Sequence, residues 1–435
     1  MSVVPRLIRA LAPSSALAAV ALGCATTPPD VTVELVTGGE ADALTRLPAP
    51  TRAEIDAIDA TGAARSLARA PFPADGRIDV GRIDRGTVAT FRVRGRDDTG
   101  RALVVGQSLP IEVDAPDEAT VRVFVQRAGE PARLPSKSTV SSEAPLVDKL
   151  GGRYLVLASG AAAELYDLAT FGARPFPLPF EARSIVATPS GLLVIGGSGA
   201  SLVDTSGATI GAATPTGGAF SEVAGARVAR AANGSAFLAG ATRDAAESAS
   251  VLRVADDGTL SFGHLAAGRA LAAATFVPGR GLVVIGGSAS APGVEVLADS
   301  ANATGAALPF APIPGRVRAA VALDDHRVLA ALGDGTLVTL DLACPAACAP
   351  APAAWTLPAS LTSVDLLRLD DGSVVVLAED AGGASHVLRA APGASAADEA
   401  PLRVARRHAA LARGVGPSAL VVGGAAELES YALGD

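Results

Sequence analysis

At 435 residues the chain exceeds the size at which a single hydrophobic core stops growing, so two domains or a closed repeat are required. Hydrophobic residues make up 49% and charged residues 18%, which excludes a disordered chain, and aromatics at only 3% leave Ala, Val and Leu to fill the core. A net charge of -8 with no basic tail excludes a nucleic-acid-binding surface.

Residues 1–23 read as a secretory signal: Arg6 and Arg9 precede an apolar stretch from Leu11 to Leu22 that is too short to cross a bilayer. The stretch ends in Val20-Ala21-Leu22-Gly23-Cys24, which resembles the bacterial lipobox. That resemblance implies a lipid on Cys24, a spacer over residues 24–30 containing Pro28 and Pro29, and membrane attachment in the cell envelope. Ala25 after the cysteine implies sorting to the outer membrane. The alternative is an ordinary cleaved signal peptide.

Residues 31–126 are predicted to form a small β-sandwich. Val31, Val33 and Leu35 alternate with polar neighbours, as do Ala89, Phe91 and Val93, and Val121, Val123 and Val125. Asp75-Gly76, Arg85-Gly86 and Asp98-Thr99-Gly100 supply the turns. The stretch from Asp75 to Gly106 resembles immunoglobulin-like or prealbumin-like modules of secreted bacterial proteins, which implies a spacer or adhesive role.

Residues 127–435 carry a repeat whose ruler is a strongly apolar strand: Tyr154-Leu155-Val156-Leu157, Leu192-Leu193-Val194-Ile195, Ala236-Phe237-Leu238-Ala239, Leu282-Val283-Val284-Ile285, Val328-Leu329-Ala330-Ala331, Val374-Val375-Val376-Leu377 and Ala419-Leu420-Val421-Val422. A period of about 45 residues suits a four-stranded propeller blade, and the copies predict seven blades. Gly196-Gly197, Gly286-Gly287 and Gly423-Gly424, together with Tyr166 and Tyr431 in the following strand, resemble the kelch repeat. The chain ends after three strands of the last copy, so a strand near 131–135 is predicted to complete it and close the ring. The expected fold is therefore all-β, a sandwich followed by a kelch-like β-propeller.

Chemistry-bearing residues are few. Cys344 and Cys348 predict a disulfide in an oxidising compartment; half a metal site is the alternative, yet the four histidines at 264, 326, 386 and 408 are scattered. Gly196-Gly197-Ser198-Gly199-Ala200 lacks the final glycine of a nucleophile elbow, and Asp256-Asp257-Gly258, Asp334-Gly335 and Asp370-Asp371-Gly372 read as hairpin turns rather than calcium loops. Kelch-type copper oxidases need a Tyr-Cys pair and histidine ligands that this sequence does not supply, so no cofactor or metal is expected. Arg183, Arg230, Arg269, Arg318 and Arg407 open successive repeats and would ring one channel mouth, as an anion-binding rim or as partners of loop carbonyls and neighbouring acids. The leading expectation is a non-catalytic, membrane-anchored binding or scaffolding protein with an envelope protein or glycan as partner. An envelope hydrolase or oxidoreductase working at the channel mouth, and a carbohydrate-binding protein, are the alternatives.

Overall fold

The computed structural model describes residues 28–433 apart from 74, 85, 114–117, 198, 241–246 and 314. Cys24 and Ser198 therefore lie outside the described residues. No described helix is long and apolar enough to cross a membrane.

The N-terminal region folds as an eight-stranded sheet. Its core is made by the alternating residues: Val31, Val33, Ile55, Phe91, Val93, Val104, Val121, Val123 and Val125 all pack in one buried cluster. Seven of its strands follow one continuous hydrogen-bonded path, with Ile111–Val113 pairing off it, because a long strand, Glu118–Arg127, is shared along its length. Its first part pairs in parallel with Asp30–Val36, and its last part pairs antiparallel with Ala102–Gln107. The two halves so joined curl over the common core.

Among the described residues the rest of the chain forms seven four-stranded antiparallel sheets, the blades of a propeller. The first runs Leu146–Leu150, Tyr154–Ser159, Ala162–Asp167 and Ala173–Pro177. Second strands such as Gly191–Ile195, Gly281–Ile285 and Ser418–Val422 are buried at every residue. Each lies inside a blade stacked between two others, and a strand covered on both faces reads as an uninterrupted apolar run. Core clusters accordingly form between blades: Val283, Ile285 and Val294 of the fourth pack with Val328, Ala330 and Leu340 of the fifth.

Two glycine pairs mark where blades meet. Gly286 and Gly423 have φ of 73° and 80°, and a Cβ on them would come within 2.4 Å of Val317 and Pro145 of the next blade. The Asp-Gly segments are hairpin turns: Gly258, Gly335 and Gly372 all have positive φ, and Asp257, Asp334 and Asp371 accept hydrogen bonds from the backbone N–H two residues on.

The seventh blade takes three strands from the C-terminal end, Ala410–Arg413, Ser418–Val422 and Glu427–Ala432, and its outer strand from Pro131–Lys137. That outer strand follows the N-terminal sheet after a turn of three residues, 128–130. Phe124 of the sheet lies against Phe171 of the first blade with ring centroids 5.9 Å apart, and the Gln126 amide donates to the carbonyl of Ser430 at 3.1 Å.

Candidate functional site

The channel has a concave mouth of about 440 Å³ lined by first strands of the third to sixth blades and by the residues leading into several of them. Small residues, among them Ala229, Ala273, Ala274, Ala319 and Ala320, line its walls and leave room for the long side chains around them. Those are Arg227, Arg230, Arg316, Arg318, Asp365, Glu379 and His408. The N-terminal sheet packs elsewhere, through Val36, Leu109 and Phe124 in a cluster with Leu168, Phe171 and Val415 of the first and seventh blades.

Most of these charges are already paired. Arg227 reaches across to Asp365 at 3.4 Å. Arg230 is forked onto Asp148, with Nε at 2.9 Å, and also donates to the Ala187 carbonyl at 2.9 Å. His408 Nδ1 lies 3.1 Å from Glu379 and its Nε2 3.8 Å from Glu143. Arg318 differs. Its side chain is partly buried in the wall, donates through Nε to the Gly333 carbonyl at 3.1 Å, and has Arg316 two residues before it. Burial, and then the field of Arg316, push its guanidinium below the ordinary arginine value, against the pull of Glu379.

The five arginines singled out from the sequence thus have different fates. Arg230 and Arg318 line the mouth. Arg407 is exposed and donates to the Gly382 carbonyl at 2.7 Å, and Arg183 is exposed beside Gly197. Arg269 is fully buried and bound to Glu295 at 2.7 Å and to the carbonyls of Gly286 and Pro292 at 2.7 and 2.6 Å. The five do not form a ring. Arg227, Arg316, Asp365, Glu379 and His408 were not singled out; the signal of four of them is position, just before or inside the first strand of a blade, while Glu379 ends the second strand of the sixth blade.

Away from the mouth, Cys344 and Cys348 are joined in a disulfide, and Cys348 is buried between the fourth and fifth blades. Asp324, Asp325 and His326 bring their ligand atoms together at an exposed turn, but Asp324 is occupied by Arg327 at 2.6 Å and by backbone N–H groups.

No protein family matches this chain, and no curated protein does. Solved structures similar to it include YCF48 bound to D1 peptide, at 13% identity over 70% of this chain and 94% of that one with a TM-score of 0.46. The WD40 β-propeller domain of Doa1 is similar at 12% identity over 68% and 94%, TM-score 0.47, and the Neurospora crassa Pan2 WD40 domain at 11% over 67% and 88%, TM-score 0.44. By its own sheet topology the chain is a seven-bladed β-propeller preceded by an eight-stranded sheet, with WD40-type propellers among its structural neighbours.

Proposed function

We propose that this protein is a non-catalytic binding lipoprotein of the cell envelope, held to the membrane through Cys24, whose channel mouth takes a carboxylate group of a protein partner. The observation that carries the reading is Arg318: a partly buried guanidinium with one hydrogen bond among the described residues and a like charge beside it gains most from an incoming anion, which it can grip with its two terminal nitrogens. A protein carboxylate fits better than a glycan. The residues that stack on sugars are used internally: Trp355, Tyr166 and Tyr431 are buried, and the Tyr154 ring carries the Arg153 guanidinium at 5.2 Å. The N-terminal sheet, read as a sandwich, serves as spacer between anchor and ring. A kelch-type lineage is supported by the paired positive-φ glycines at the fourth and seventh blades.

The test is titration of the full chain with a short polyglutamate peptide. Saturable binding that weakens with salt and disappears in Arg318→Gln, with the melting temperature unchanged, is expected. Equal binding by Arg318→Gln, or none by the unaltered protein, overturns the mouth as the site. For the anchor, Cys24→Ser is expected to move the protein from the membrane fraction to the soluble fraction; retention on the membrane overturns it.

A further inference from the structure

Three blades place a fully buried glutamate at the same point of the repeat. Glu164, Glu295 and Glu429 stand on third strands, each opposite the fourth residue of its second strand: Leu157, Val284 and Val421. In each, Oε2 accepts a backbone N–H from the segment that leads into the blade: Thr139 at 2.5 Å, Ala266, still in the outer strand of the third blade, at 2.6 Å, and Arg403 at 2.7 Å. In the fourth and seventh blades Oε1 is held by an arginine three residues further on, Arg269 at 2.7 Å and Arg406 at 2.8 Å. Those arginines also donate to the carbonyls of Gly286 and Gly423, and both lie four residues before the first strand.

The same count in the first blade ends on Ser142. The backbone confirms the alignment, because the residue two places later has positive φ in all three loops: Leu271, His408 and Ala144. Serine cannot reach or neutralise the glutamate. Glu164 Oε1 and Ser142 Oγ are both buried without a hydrogen-bond partner. A buried carboxylate lacking a counter-charge is costly, and the two sister sites show what the pocket is built to hold.

We infer that the first blade carries a binding site for a small monovalent cation, held by Glu164 Oε1 and the Ser142 hydroxyl where the sister blades hold an arginine head group. Glu164 also fastens Thr139 through its hydroxyl at 2.5 Å, two residues beyond the strand that closes the ring, so the cation steadies the seam between the first and last blades.

Guanidinium is the natural probe. Melting curves of the full chain are recorded with about 20 mM guanidinium chloride, well below denaturing levels, replacing tetramethylammonium chloride at constant ionic strength. A rise of roughly 1–2 °C is expected for the unaltered protein and none for Glu164→Gln. Ser142→Arg is expected to melt higher than the parent and to be indifferent to guanidinium. Arg269→Ser, which copies the first-blade site into the fourth, is expected to melt lower and to be partly rescued by the same salt. Equal melting in both salts, with Arg269→Ser rescued, overturns the site. If Ser142→Arg does not fold, the contrast between the parent and Glu164→Gln still decides.

Discussion

Arginines that look alike in the sequence perform opposite tasks. Arg406 and Arg407 are neighbours, yet Arg406 is 2% exposed and bound to Glu429, whereas Arg407 faces solvent. What separates them is the count to the first strand, which the sequence reveals only once the strand boundary is known. The partner glutamates escaped notice because a single Glu inside an apolar strand looks like the polar half of an alternation; the signal was its recurrence at one repeat position. Arg269→Ala strands Glu295 without its counter-charge and is expected to cost roughly 3–5 kcal/mol. Arg183→Ala, at an exposed site, is expected to change stability by less than about 0.5 kcal/mol. Denaturant unfolding of the two variants checks the contrast, and equal losses would remove the distinction between buttress and surface.

The second strands were the legible elements. Ile195, Ile285 and Val422 end runs buried from both sides, so composition alone marks them. Of the fourth strands the closing one near 131–135 was legible, but others such as Ala306–Ala307 and Ala351–Pro352 were not, because they are two residues long and exposed. In the N-terminal region alternation identified the core faces of Val31, Phe91 and Val123, but not the pairing that joins the two halves into one path, since the double pairing of Glu118–Arg127 follows from length and twist rather than residue type. Removing residues 128–138 takes the outer strand from the seventh blade and exposes the edge of Glu427–Ala432. The melting temperature is expected to fall by many degrees and the protein to aggregate on heating; an unaltered curve would show that the ring does not depend on this strand.

Across the whole molecule, sheet and ring are bound by contacts that no local pattern announces. Glu130 is gripped from one side by Arg46 at 2.6 Å and from the other by Arg403 at 2.5 Å, and Arg133 of the closing strand reaches Glu40 at 2.9 Å. These partners are distant in sequence, which is why the mouth and the interface were beyond reach while the blade count was not. The closing strand has one more consequence, in the order of synthesis. Pro131–Lys137 leaves the ribosome before any blade exists, and its partner, Glu427–Ala432, follows only after the other six blades. Until then the chain carries an open strand with nothing native to pair with, and the ring cannot lock before Glu427–Ala432 is made. A chain that stops before Glu427–Ala432 lacks the partner of the closing strand, so the joint between the two distant segments sets when the ring can close.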